Sequence, residues 1–255
     1  MTELTIRQIP VLRDNYVYLL HDAATGATAA VDPSVAGPVL AALAETGWRL
    51  TQILNTHHHI DHTGGNLELK AATRCAIVGP RADRDRIPGI DVAVGDGDTY
   101  RLGDCEARIF DVPGHTRGHI AYWFAGSRAL FCGDTLFLMG CGRLFEGTPA
   151  EMWRSLGKLK ALPPETRIYC GHEYTQGNAR FALSVDPDND DLKARASRVD
   201  ALRARHLSTV PGTLAEELLT NPFLRADLKS LQESAGTVGD PVATFAAIRQ
   251  RKDVF

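Results

Sequence analysis

The sequence has no apolar run approaching the roughly 20 residues of a membrane span, so no spanning helix is expected along its 255 residues. Residues 1–10 carry Glu3 and Arg7 where a signal peptide needs an unbroken apolar stretch. Long basic runs are missing and the net charge is −3, which leaves no electrostatic footprint for nucleic acid. The cysteines number five, an odd count without paired spacing, and most lie in apolar strand-like runs; this is the pattern of reduced core thiols, not of a disulfide framework. There is no repeat of fixed period and no low-complexity tract. What is present is a globular composition, 44% hydrophobic, in a chain long enough to bury a full core. The expectation is a cytoplasmic monomer with a small-molecule substrate and no membrane or nucleic-acid partner.

Residues 16–20 and 28–31 read as strands around a turn at Gly26, 39–44 as a helix ending near Gly47, and 51–55 as a short buried strand. Further strands are expected at 75–78, 99–102, 106–112, 120–124 and 129–132, with the last at 167–170. Thr148 and Glu151 form a capping box at the start of a helix. Beyond about Thr175 alternation gives way to helical patterns, at 190–207, at 213–219 behind a second Thr-x-x-Glu box, and at 242–252 behind Asp240-Pro241. The chain changes class there, which predicts an α/β domain over 1–174 and a helical domain over 175–255.

The densest chemistry lies in Thr56-His57-His58-His59-Ile60-Asp61-His62-Thr63-Gly64-Gly65-Asn66. Histidine and aspartate are ligands that zinc accepts, with iron or manganese as alternatives, and the segment sits between a strand and a helix. Side chains two apart in extended chain share a face, so His57 and His59 can converge on one ion while His58 points away. Asp61 and His62, at the helix entrance, can reach a second ion. Three later strands share one grammar, an apolar run, a glycine, then a ligand type: Gly114-His115, Gly133-Asp134 and Gly171-His172. Glycine there permits a sharp turn and a close approach. Any one of these three residues alone is ordinary, but as a set they complete an unfinished site. The seven groups suit two metals joined by a carboxylate and a bridging hydroxide, since one four-coordinate ion cannot use so many. His21, His58 and His206 are expected at the surface or in solvent, His119 in packing or in support of a ligand, and Cys132 and Cys170 in the core. Asp32, at a strand's end, looks like the carboxylate that fixes the tautomer of a ligand imidazole.

His57, His59, Asp61 and His62 match the His-x-His-x-Asp-His signature, and the chain resembles the metallo-β-lactamase superfamily. That resemblance implies an αββα sandwich in which His57, His59 and His115 hold one metal, Asp61, His62 and His172 the other, and Asp134 bridges them. Such a centre lowers the pKa of bound water to about 7 and polarises a carbonyl, which suits hydrolysis. Gly133-Asp134-Thr135-Leu136-Phe137, the stretch from Gly140 to Thr148, Gly171-His172-Glu173-Tyr174-Thr175, Asn221-Pro222-Phe223-Leu224-Arg225 and Arg249-Gln250-Arg251-Lys252-Asp253 together resemble the glyoxalase II (hydroxyacylglutathione hydrolase) family over essentially the whole chain. The family implies a helical C-terminal domain over the site, and hydrolysis of S-(2-hydroxyacyl)glutathione such as S-lactoylglutathione to glutathione and lactate, the second step of methylglyoxal detoxification. The same resemblance implies that Asp61 and Asp134 carry the catalytic role with the bridging hydroxide, and that Arg143, Tyr174, Arg249 and Lys252 bind substrate. Arg249 and Lys252, three apart, share a helical face, and arginine suits a carboxylate. Two positions depart from the family, which frequently has lysine in place of Arg143 and tyrosine in place of Phe145. The alternative in the same superfamily is a persulfide dioxygenase with a single iron, which the helical tail carrying Arg249 and Lys252 argues against.

Overall fold

The protein is described here by a computed structural model covering residues 3–255. It forms two compact units, one running to Asp111 and including Arg117–Gly133, the other made of Val112–Thr116 and Asp134–Phe255. The change of class expected at residue 175 therefore falls inside the second unit.

The first unit begins with β1 (Thr5–Val11), β2 (Asn15–His21) and β3 (Thr28–Val31), then α1 (Ala36–Thr46), β4 (Gln52–Leu54), α2 (Ile60–Thr63), α3 (Asn66–Thr73), β5 (Ala76–Pro80) and β6 (Val92–Val94). β1, β2 and β3 pair antiparallel, whereas β3, β4, β5 and β6 run parallel. The parallel register sets Val31 beside Leu54 and Leu54 beside Val78, so Asp32 and Asn55 leave the same sheet edge as neighbours. Ligand sites in open parallel sheets form at such carboxyl ends. β7 (Thr99–Leu102), β8 (Cys105–Asp111), β9 (Ile120–Phe124) and β10 (Ala129–Gly133) make an antiparallel meander. The two sheets meet face to face, as Tyr18 of β2 packs edge-on to Phe131 of β10 at 5.5 Å and the Tyr122 hydroxyl donates to the Asn55 carbonyl at 2.9 Å. α1 and α3 cover the other face of the first sheet, burying Val39, Leu43 and Leu69 against Val17, Leu19, Ile53 and Ile77.

Gly64 and Gly65 hold α2 and α3 tightly against the loop after β3. A Cβ on Gly64 would stand 2.5 Å from the Ser34 carbonyl oxygen, and one on Gly65 2.8 Å from that of Pro33. That proximity fixes where His62 and Asp61 emerge relative to Asp32.

The second unit contains the hairpin β11 (Leu136–Phe137) and β12 (Gly140–Cys141), α4 (Pro149–Lys160), β13 (Arg167–Cys170), α5 (Thr175–Val185), α6 (Asp190–Arg203), β14 (Gly212–Thr213), α7 (Leu214–Thr220), α8 (Lys229–Ala235) and α9 (Pro241–Asp253). Both capping boxes form, with the Thr148 and Thr213 hydroxyls accepting from the Glu151 and Glu216 amides, and Asp240 caps α9. β13 is not the last strand, because Gly212 and Thr213 pair with Ile168 and Arg167; two residues are too few to show alternation. β1, β6, α5 and α8 also go beyond the elements expected from periodicity. α9 is part of the core: Phe245 and Ile248 are buried, and Phe245 packs on Phe223, which stacks on Phe181.

All five cysteines are free and buried. Burial pushes the Cys141 thiol up to about 11 and Cys170 higher, so both are inert core groups. His21 is not merely solvated, since it stacks on Trp48 at 4.3 Å and bonds the Thr28 hydroxyl. His206 is exposed. No helix among the described residues is long and apolar enough to cross a membrane.

Asp22 ties two turns of the first unit together, accepting from the Ala24 amide at 3.1 Å, the Thr25 hydroxyl at 2.8 Å and the Asp104 amide at 2.8 Å. These bonds, the Asp104 amide first, hold its carboxyl below the ordinary 3.8. Its stabilising effect is complete above that ordinary value and is lost as pH falls through the lowered one. Asp22→Ala is expected to cost about 0.5–1.5 kcal/mol at neutral pH by removing the acceptor that three part-buried hydrogen bonds share, and the gap from wild type should close in denaturation curves taken progressively below pH 3.8.

Candidate metal centre

In the first unit one carboxylate organises the His-rich loop. Asp32 follows β3 in a left-handed conformation, φ 49°. Its Oδ1 accepts from the Thr56 amide at 2.7 Å, and its Oδ2 accepts from the Thr56 hydroxyl at 2.7 Å and from His62 Nδ1 at 3.2 Å. The Thr56 proton is thus committed to Asp32, so the Thr56 oxygen must accept from His57 Nδ1, 3.0 Å away. Both imidazoles carry their proton on Nδ1 and keep a lone pair on Nε2. The His57 ring lies 4.1 Å from that of His62 and 4.7 Å from that of His59, and ligand atoms of Asp32, His57 and His62 fall within 4.8 Å of one another.

Asp61 is held by Asn15, whose amide donates to Asp61 Oδ2 at 3.1 Å and to its carbonyl at 3.2 Å, and by the Ser34 hydroxyl on the same carbonyl. His62 Nε2 stands 3.6 Å from Asp61 Oδ2. His58 falls outside the groups that could hold an ion, and it sits in a network and not in solvent. Its Nδ1 is 2.9 Å from Asp83 Oδ2, and Arg86 bonds the other Asp83 oxygen. Asp83 in turn packs so closely on Gly118 that a Cβ there would overlap its carboxyl. His119 stacks on His57 at 4.6 Å and turns its Nδ1 to the Ile120 carbonyl, a supporting position as expected.

The second unit brings together His115, Asp134 and His172. His115 Nδ1 lies 2.8 Å from the Arg143 carbonyl, which can only accept, so here too the free lone pair is on Nε2. That Nε2 is 3.5 Å from Asp134 Oδ2, and His172 Nε2 is 3.4 Å from the same oxygen. Gly142 is required beside them, because a Cβ would overlap the Asp134 carbonyl and crowd His115 Nδ1. Tyr174 lies flat on His172 at 4.6 Å, with the rings 2° from parallel, and Phe145 meets His115 edge-on at 5.2 Å.

These separations bear on whether the groups fit an ion. With metal–nitrogen distances of about 2.0–2.1 Å, the edge of a tetrahedron is about 3.3 Å. The Nε2–Oδ2 distances of 3.4, 3.5 and 3.6 Å are near that edge and long for a charge-assisted hydrogen bond. Imidazoles with Nδ1 anchored on oxygen and Nε2 presented are what divalent metals take, so the donor set fits.

Of the expected substrate-binding residues, Arg143 and Tyr174 are exposed. Lys252 is half-buried, donates to the Gly177 carbonyl at 3.3 Å and lies over the Phe181 and Phe255 rings. Burial, then the Arg249 and Arg143 charges, holds it below the usual lysine value. Arg249 differs from the expected paired presentation: it is 5% exposed, its Nη1 donates to the Cys141 carbonyl at 2.9 Å, its Nε to Asp253 at 3.1 Å, and its guanidinium covers Phe223. Sequence reasoning missed Asn15, Ser34 and Thr56, whose bonds to the site have no local signature.

Comparison with known proteins places these observations. Residues 11–172 match the metallo-beta-lactamase superfamily and residues 173–255 the hydroxyacylglutathione hydrolase C-terminus. The chain is 62% identical to the hydroxyacylglutathione hydrolase of Methylococcus capsulatus, covering 99% of both chains, and 59% identical to that of Rhodospirillum rubrum, covering all of both. Among solved structures, ETHE1 from Myxococcus xanthus is similar with a TM-score of 0.67 and 25% identity, over 98% of this chain and 99% of the other. TTHA1623, solved in a di-iron-bound form, has a TM-score of 0.60 and 25% identity over 86% of this chain and 99% of its own.

Asp32→Asn is the sharpest probe of the loop, because asparagine tolerates the left-handed backbone yet offers a single acceptor oxygen where three donors converge. Divalent-metal affinity should fall about 10–100-fold, read by chelator competition, with the circular dichroism spectrum unchanged.

Proposed function

As the chain belongs to the metallo-β-lactamase superfamily and, within it, to the hydroxyacylglutathione hydrolases, we propose that it hydrolyses the thioester of S-(2-hydroxyacyl)glutathione, S-lactoylglutathione above all, to glutathione and a 2-hydroxy acid. The observation that carries this is the 62% identity to a hydroxyacylglutathione hydrolase over 99% of both chains. The match of residues 173–255 to that family's C-terminus favours it over a single-iron dioxygenase. The division of labour follows the class change, with 1–174 supplying the catalytic groups and 175–255 the helical support for substrate.

The ligand set proposed is His57, His59 and His115 for one divalent ion and Asp61, His62 and His172 for the other, with Asp134 shared. Zinc is the metal of choice for imidazole and carboxylate donors, and iron and manganese are accepted by the same set. When bound, such ions supply a nucleophilic water near neutral pH and polarise the thioester carbonyl. The protein's own part is orientation and binding. Asp32 and Thr56 aim the Nε2 lone pairs of His57 and His62, and the Arg143 carbonyl aims that of His115. Asn15 donates to Asp61 Oδ2 and so holds the orientation in which that carboxylate would meet an ion. The leaving thiolate, of parent pKa about 8.5, departs without a proton donor. Arg143 and Lys252 face the glutathione carboxylates and Tyr174 adds a hydroxyl. Lys252, already crowded by two guanidinium charges, gains when an anion arrives. Free buried thiols support a reducing cytoplasm, and a ligand set drawn from one chain supports a working monomer.

Purified protein should release thiol from S-lactoylglutathione while holding two divalent metals per chain; an inert, fully metallated protein would refute the assignment. Asp134→Ala should abolish turnover with loss of at least one metal, and near-normal turnover would exclude the shared-ligand scheme. Phe145→Tyr, restoring a hydroxyl beside the site, should lower KM several-fold, the worth of a hydrogen bond of about 0.5–1.5 kcal/mol. An unchanged or higher KM would remove Phe145 from the substrate's surroundings.

A further inference from the structure

The hairpin of β11 and β12 joins Asp134 to Arg143, and it is too small to hold its own shape. Only Leu136–Cys141 and Phe137–Gly140 pair across it, and Met139 at its tip adopts a left-handed φ of 54°, uncommon for a residue with a side chain. An isolated two-stranded hairpin is marginal at best. Here five successive backbone groups are instead taken up by side chains from separate helical elements. Asn221 Nδ2 donates to the Phe137 carbonyl at 3.1 Å and the Gly140 carbonyl at 3.0 Å. Asn178 donates to the Leu138 carbonyl at 3.1 Å, Glu217 Oε2 accepts from the Met139 amide at 2.8 Å, and Arg249 donates to the Cys141 carbonyl. Glu217 also accepts from Asn221 at 2.8 Å and from Arg195, and Arg195 is anchored on the Thr220 hydroxyl at 2.6 Å. Glu217 and Asn221 are wholly buried and Arg195 is 4% exposed.

A buried ion pair is weak evidence of stabilisation, since an apolar pair of similar volume often serves as well. The Glu217 carboxylate does something an apolar group cannot: with Arg195 as countercharge on one oxygen, it accepts from the hairpin tip and from Asn221 on the other. The hairpin in turn delivers the Arg143 carbonyl to His115 Nδ1, and Gly142 returns a bond to Thr135 at 3.3 Å beside Asp134. We infer that Glu217 and Asn221 are positioning residues for the reaction, holding the 136–141 hairpin so that the Arg143 carbonyl fixes the tautomer of His115. Asn178 and Arg249 complete the same cradle, which gives Arg249 a role through the backbone in addition to its charge. The effect on turnover rests on the metal-ligand role proposed for His115, but the effect on the imidazole does not.

Two double variants separate positioning from plain stability. Arg195→Leu with Glu217→Leu keeps the volume and removes the acceptor; Arg195→Gln with Glu217→Gln keeps a neutral acceptor for the Met139 amide. In the purified full-length protein the apolar pair should remain folded by circular dichroism and lose kcat about 10–100-fold, the usual cost of disturbing a ligand's supporting partner, with KM changed less than about threefold. It should also lose hydrogen-exchange protection at the Met139 amide and the His115 Nδ1–H resonance, whereas the amide pair should keep both signals and most of kcat. Asn178→Leu, a milder change that frees only the Leu138 carbonyl, should shift the same resonance and kcat in the same direction, and it decides the matter if the apolar pair does not fold. A folded apolar pair, or Asn178→Leu in its place, with an unchanged His115 resonance and unchanged kcat overturns the inference. So does equal loss of kcat in both double variants. Should wild-type protein be inert toward the thioester, the proposed activity fails, while the His115 resonance still tests the cradle.

Discussion

An imidazole has one lone pair to give, and which nitrogen holds it is decided by what the other nitrogen touches. The candidate site depends on that constraint. In the first unit Asp32 governs His62 directly and His57 through the Thr56 hydroxyl, so a single carboxylate sets two tautomers. In the second unit a backbone carbonyl, that of Arg143, does the same for His115. Neither acceptor is adjacent in sequence to the ring it controls, except for the Thr56 relay. The lone pairs are therefore aimed only once β3 lies beside β4 and the chain has turned back after β12. Local sequence supplies the rings, and tertiary structure orients their lone pairs.

This division explains how much was legible beforehand. The glycine-then-ligand grammar at His115, Asp134 and His172 is local, and so is the dense run from His57 to His62. Asp32 was readable because a carboxylate directly after a buried strand has few other duties. The supports were not readable. Asn15 reaches Asp61, Asn221 reaches the Phe137 carbonyl, and Glu217 reaches the Met139 amide over separations of 46, 84 and 78 residues, and an amide side chain bonded to a distant carbonyl leaves no periodicity behind. The same holds for missed elements: β1 carries an intermediate, partly charged surface over most of its length, and α5 opens on Thr-Gln-Gly-Asn, a poor helical start. His58 was misjudged for a related reason. Alternation left it outside the groups that could hold an ion, but what it meets instead, Asp83 with Arg86, lies in a segment with no pattern linking it to the loop.

Arg249 shows where helical geometry stops informing. Spacing of three puts it on a face with Lys252, yet a face has depth, and the α9 residues Phe245 and Ile248 are buried. Arg249 follows them inward, covering Phe223 with its planar cation and spending a donor on a carbonyl. α9 is thus a structural member of its unit and not a detachable flap, and a truncation there would remove core along with charge.

The charge distribution completes the argument for an anionic substrate. The chain is acidic overall, at −3, yet Lys252 is held below the usual lysine value, by its burial first and then by the Arg249 and Arg143 charges. A carboxylate entering there would gain charge-assisted bonds and would offset the like charges of these side chains. Arg249 is pinned by Cys141 and Asp253, whereas Arg143 is exposed. Arginine in place of lysine at the exposed position 143 keeps the charge and adds a planar fork, and the change leaves buried Arg249 and half-buried Lys252 as they are.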